Sequence, residues 1–351
     1  MSADSSVPRR PSRMRLYLPF ALLALLVVAG SAAWLIMRSR TLSGMDEWLA
    51  AEAEAGRRWA CQDRTVGGYP FRIEVSCASV TLNRPGITGR LGRVLAVAQV
   101  YRLGHIIVEA QGPLRVTAEE MNVESEWRLL QASVIFASGA FQRLALVAQE
   151  PKVTATSPSQ APLRLAARTL EVHARPDPAD ASVADLAFSS AGAVLPGLDA
   201  LVGGSEPADL DLVLRVNRAT DLPTRPIWAE LERWRAAGGR LEIARAALVK
   251  GPRRVETQGS LAIDDAHRPT GELRGQVAGI EGLLGRFVGD RAGLAGNLLG
   301  ALLGAGSKAD IQQPSDPNAP RMKPVPPLRL ANGRLSIGPL QVPNLRIPAL
   351  Y

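Results

Sequence analysis

Trp59–Cys77 reads WACQDRTVGGYPFRIEVSC, and its pattern sets the fold of everything that follows. Phe71, Ile73, Val75 and Cys77 alternate with Arg72, Glu74 and Ser76. That period of two predicts a half-buried strand, apolar on one face and polar on the other. Gly67-Gly68-Tyr69-Pro70 before it is turn chemistry, since glycine permits positive φ and proline fixes the entry to the strand. The stretch also holds Cys61 and Cys77, the two cysteines of the chain. Without a nearby histidine they make an incomplete zinc site, and catalytic dithiols usually sit two residues apart. A structural disulfide is the favoured reading; it would close a loop of about 15 residues and contribute about 3 kcal/mol. It would also require an oxidising compartment.

Upstream of this stretch, Leu16–Met37 carries no charge, and at about 1.5 Å per residue it is long enough for a bilayer core of about 30 Å. Four arginines (Arg9, Arg10, Arg13 and Arg15) precede it, and Arg38 and Arg40 follow closely. The positive-inside rule therefore places residues 1–15 in the cytoplasm and the body across the inner membrane, in the periplasm. Tyr17 and Trp34 fall near the two expected interfaces. The rival reading is a cleaved signal peptide with Ser31-Ala32-Ala33 as its small-x-small site. Trp34–Met37 prolongs the apolar run past that site and favours a retained anchor. Residues 38–59 read as a membrane-proximal helix capped by Ser43, with Trp48, Ala51, Ala55 and Trp59 on one face. Trp48 is a candidate contact for lipid or a partner.

The net charge of +8 resembles that of a nucleic-acid binder, but residues 1–40 hold six arginines against Asp4 alone. The body is left nearly balanced, without the concentrated basic face that nucleic acid requires.

The WACQDRTVGGYPFRIEVSC string resembles the signature of an uncharacterised alphaproteobacterial family, the domain of unknown function 2125. The likeness extends to the closing LRLANGRLSIGPL of Leu328–Leu340. It implies a membrane-anchored envelope protein and brings no known activity or catalytic residues.

Short alternations fill the rest of the chain. Val94–Tyr101, Ile106–Ala110, Leu114–Ala118, Met121–Glu126, Leu129–Ala137 and Phe141–Ala148 are expected strands. Leu163–Ala174 and Ser182–Ser189 follow, and Arg175-Pro176-Asp177-Pro178 is the best internal break. It divides the body into two β-rich halves, residues 60–175 and 176–351. In the second half, Leu210–Val216, Arg240–Leu248, Arg254–Ile263 and Gly271–Ala278 read as strands, and Ile227–Ala237 as a short helix. GSLAIDD, a polar turn and GELRGQVAG resemble the sheet repeats of AsmA-type envelope proteins, which implies a lipid-handling groove. The expected class is therefore mainly β (α+β): a transmembrane helix, then an antiparallel sheet, elongated or curved, with a few covering helices.

Ile280–Leu303 is the one long helical pattern in the body, with Leu294, Leu298 and Leu302 on its apolar face. It reads as a helix covering the sheet, with a membrane-surface helix and a second span as the other readings, and its leucines are candidate lipid or partner contacts. Residues 308–327 form a proline-rich connector, and Leu328–Leu335 and Leu340–Ile347 supply closing strands.

No catalytic, cofactor or metal site is expected. His105, His173 and His267 stand apart from any ligand spacing. Asp264-Asp265 falls in a polar turn, where adjacent carboxylates are turn formers. The expectation is a non-catalytic protein that binds lipid or another envelope component, with a protein scaffold as the alternative and a hydrolase the weakest reading.

Overall fold

A computed structural model describes residues 14–197, 199, 204–219, 227–279 and 322–351. Residues 1–13, the expected helix at 280–303 and residues 308–321 of the proline-rich connector lie outside the described residues.

Helix α1 runs unbroken over Met14–Glu54 and so merges the expected span with the start of the membrane-proximal helix. It stops short of Trp59. Gly56 adopts a left-handed φ of 79°, its amide donates to the Ala53 carbonyl, and the Arg57 amide donates to that of Glu52. This is a glycine C-terminal stop, where the missing Cβ makes φ above zero cheap. Ala55 and Trp59 therefore leave the expected helix face, and Trp59 joins a strand.

The strands fall into two antiparallel sheets. The smaller runs in the order β1 (Arg58–Gln62), β4 (Ser79–Arg84), β5 (Ile87–Leu91), β8 (Leu114–Ala118), β9 (Met121–Glu126), β12 (Lys152–Ser157) and β13 (Gln160–Ala166). The larger has fifteen strands and begins β2 (Thr65–Gly67), β3 (Arg72–Cys77), β6 (Val94–Gln99), β7 (Arg102–Ala110), β10 (Leu129–Ala137), β11 (Ala140–Gln149), β14 (Thr169–Pro176) and β15 (Ala184–Ala193). It continues through β16 (Ala208–Val216), β17 (Leu241–Lys250), β18 (Arg253–Ile263), β19 (Pro269–Ala278), β20 (Lys323–Ala331), β21 (Arg334–Ile337) and β22 (Leu340–Arg346). Helix α2 (Ile227–Ala236) lies between β16 and β17 in sequence.

As far as β14 the chain visits the two sheets in alternating pairs, and the transfers are short; from β14 on it stays in the large sheet. Ala78 alone separates β3 from β4, Gly92-Arg93 separate β5 from β6, and Trp127-Arg128 separate β9 from β10. Each of these hairpins is thus bent in its middle, one half in each sheet, and the bends line up as a crease. Hydrogen bonds bridge it from strand to strand: Gln111 to the Arg93 carbonyl, Arg128 to Gln149 and Glu150 to Arg168. Gly92 is glycine because the strands close up here. A Cβ on it would lie 2.6 Å from the Gln111 carbonyl oxygen.

Most of the strand expectations hold, and β8, β9 and β10 match to the residue. Two do not. Leu163–Ala174 is two strands in different sheets, because the crease passes through Ala167-Arg168. Leu328–Leu335 is cut by a hairpin at Asn332-Gly333, both at positive φ. The end of the proline-rich connector is also ordered as strand: β20 begins at Lys323 and pairs with β19. The expected break at Arg175–Pro178 falls across the end of β14 and the start of the loop to β15, and these two strands pair, so the large sheet continues from one half of the chain to the other.

Candidate functional site

The large sheet keeps its two faces distinct across its width. Following the pairing register, one row reads Ile73, Ala98, Ile106, Val134, Leu144, Ala174, Leu186, Leu214, Ile243, Gly259, Leu273, Leu328, Ile337. No polar side chain interrupts it, and at about 4.8 Å per strand it spans about 60 Å. The small sheet has a matching row: Trp59, Leu82, Gly89, Val116, Val123, Ala155, Leu163.

Cys61 and Cys77 are disulfide-bonded, with Cα atoms 5.2 Å apart. Cys61 shares a face with Trp59 on β1, and Cys77 shares a face with Ile73 on β3, because residues two apart on a strand point the same way. The bond therefore joins the two apolar faces, and both line the inside of the crease. Cys61 lies on β1, so the bond ties that strand to β3 across the crease and fixes the direction of the fold.

Among the described residues this inner surface is only half-buried. Of the long row Ile73 alone is buried, and the other members are half-buried. Among the described residues eight hydrophobic side chains are buried, five of them alanine or cysteine. A sandwich of this size ordinarily closes its inner faces into a dense core. Among the described residues this apolar inner face, the trough, stays half-buried, and burying such surface gains about 25 cal/mol per Å². Lys250, on the trough side and paired with Ala208, is buried with its Nζ 2.6 Å from the Asp199 carboxylate and donating to the Glu206 carbonyl. Its charge is fully partnered. Trp234 of α2 donates to the Asn217 carbonyl at 2.7 Å.

The outer face is polar and carries two of the three histidines. His105 Nε2 lies 2.9 Å from Ser133 Oγ, and His173 Nε2 lies 3.3 Å from Glu171. They are three strand spacings apart, about 14 Å, so they do not converge. A shallow cleft of ≈ 470 Å³ borders His173, and its Arg175 and Arg215 are held by Asp185. His267 is remote from both, 3.4 Å from Glu232 and stacked on Tyr351 at 4.5 Å. Around it, Arg235 and the Tyr351 hydroxyl both donate to Glu232, and hold its carboxyl down at about 2. Burial and the Glu232 carboxylate push the Tyr351 phenol up. Asp264 is a turn former, as expected. Burial raises its pKa, but the Arg268 and Ala266 amides and the Arg268 guanidinium outweigh this and hold it below its usual range. Asp265 reaches out to Arg235 at 2.8 Å.

Among the expected contact residues, Trp48 is half exposed, with its ring 6.2 Å from that of Trp59. Leu294, Leu298 and Leu302 lie outside the described residues. Trp34, expected near a lipid interface, packs against the β body. It is 8% exposed, its indole donates to the Arg72 carbonyl at 2.9 Å, and its ring meets Tyr69 edge-on at 5.4 Å. Ser31 Oγ lies 2.8 Å from the Tyr69 hydroxyl, and Arg38 donates to the Val66 carbonyl. Sequence reasoning missed this docking, because Trp34 and Tyr69 each had a sufficient local explanation.

These features define a class: an apolar N-terminal helix, long enough to cross a membrane, fastened to a creased antiparallel β body with an apolar inside. The chain belongs to the family described as uncharacterized protein conserved in bacteria (DUF2125), whose pattern it matches over residues 34–346. Comparison with curated proteins and with solved structures finds no match, so the likeness to AsmA-type proteins rests on the meander pattern alone.

Proposed function

We propose that this protein is a single-pass inner-membrane protein whose periplasmic β body holds lipid acyl chains in its trough, without catalysis. The carrying observation is the unbroken apolar row of the large sheet, left half-buried along nearly its whole width. Orientation is supported by the arginine-rich N-terminal residues, and an oxidising compartment by the Cys61–Cys77 bond. Retention of α1 is supported by the contacts of Ser31 and Trp34, which cleavage after Ala33 would break apart.

The test is purification of the full chain in detergent, followed by extraction and mass spectrometry of bound lipid. Leu212 sits mid-sheet on the trough face, between Phe188 and Ala246. Wild type should retain lipid in defined proportion and protect a fluorescent acyl probe from aqueous quencher, and Leu212→Arg should lose both. A wild-type protein that retains no lipid and gives the probe no protection refutes the reading.

A further inference from the structure

We infer that the hairpin ends of the large sheet nearest α1 form an aromatic rim that dips into the bilayer interface. This rests on the reading of α1 as membrane-inserted. The turn between β2 and β3 presents Tyr69 and Phe71 at 55% and 73% exposed, and the adjoining turn between β6 and β7 presents Tyr101 at 77%. The two turns are tied together, since the Val100 amide donates to the Phe71 carbonyl at 2.9 Å. Leu103 beside them is also exposed, at 48%.

Their height along α1 is fixed by the contacts of Tyr69 with Ser31 and of Arg72 with Trp34. At about 1.5 Å per residue those two helix positions lie about 9 and 4.5 Å below Met37, the end of the uncharged run. The rim therefore stands at the depth of about 5–10 Å to which interfacial apolar groups sink. Exposed tyrosine and phenylalanine in hairpin turns cost solvation in water. At the headgroup boundary their rings are favoured, the Tyr101 hydroxyl stays wet, and the Tyr69 hydroxyl has Ser31 as its partner. Arg102, exposed beside Tyr101, suits the phosphate level. The hairpin turns of the small sheet, Pro85-Gly86, Glu119-Glu120 and Pro158-Ser159, carry no aromatic residue, and Glu119-Glu120 adds negative charge there. The seated rim brings the near end of the trough to the lipid surface.

The test uses the full chain in vesicles of phosphatidylethanolamine and phosphatidylglycerol, with an environment-sensitive fluorophore on an unnatural residue at Tyr101, Phe71, Glu119 or Leu25. Quenching by lipids spin-labelled at the headgroup or at shallow and deep acyl positions reads the depth. The inference predicts loss of fluorescence to headgroup and shallow labels at Tyr101 and Phe71, to deep labels at Leu25, and none at Glu119. Quenching at Leu25 with none at Tyr101 and Phe71 overturns the rim and leaves the anchor standing. No quenching at Leu25 removes the anchor itself. Shielding of Tyr101 from aqueous iodide without quenching by any lipid label would mean burial against a second copy, and would also overturn the rim.

Discussion

Cys61 and Cys77 do two jobs at once: they close a chain loop and hold two apolar faces toward each other. In the folded, oxidised protein no free thiol should react with a thiol reagent under native conditions. Cys77→Ser should lower stability by about 3 kcal/mol in urea unfolding, the loop-entropy value for this spacing. Both cysteines and the strand parity were legible in the sequence, but not which way the faces turn, since that needs the crease. The Glu232 cluster was not legible at all, because Arg235, His267 and Tyr351 reach it from separate parts of the chain. Its carboxyl falls from 4.5 to about 2 through Arg235 and Tyr351. A depressed carboxylate stabilises the fold fully above 4.5, and that contribution is lost as pH falls from there through about 2. Tyr351→Phe should move the Glu232 titration, followed by carboxyl NMR, upward toward its ordinary value. An unmoved titration would mean that the tyrosine hydroxyl does not reach it in solution.

At the scale of elements the crease is the structural device, and glycine placement tests it. A side chain on Gly92 meets backbone at 2.6 Å, whereas one on Gly89 meets the Leu82 Cβ at 3.7 Å, an ordinary contact. Gly92→Val should therefore cost about 1–3 kcal/mol in urea unfolding, as overpacking does. Gly89→Ala should stay within about 0.5 kcal/mol of wild type. Equal effects would contradict the close strand approach at Gly92. Alternation made β8, β9 and β10 readable, because each keeps its period between clear turns. It merged β13 with β14, since a strand passing through a bend keeps much of its pattern while changing sheets. Helix periodicity likewise overran at Trp59, where the tryptophan that should have extended α1 packs back on Trp48 from β1.

At the scale of the molecule, an amphipathic sheet this wide needs something apolar against its inside. We propose that lipid chains provide it, with α1 and the aromatic rim setting the near end at the membrane. The family gives the chain its relatives without an activity, so the trough carries the functional argument. Its rows emerge only when the registers of successive hairpins are joined, which no single stretch of sequence displays. Leu212 and Val213 are neighbours on β16 that point to opposite faces, Leu212 into the trough and Val213 outward. A photo-crosslinking residue at each position, activated in living cells, tests the central claim most directly. If the trough holds acyl chains, lipid adducts form at 212 and none at 213. Protein adducts at 212, or the same yield of lipid at both positions, would contradict it.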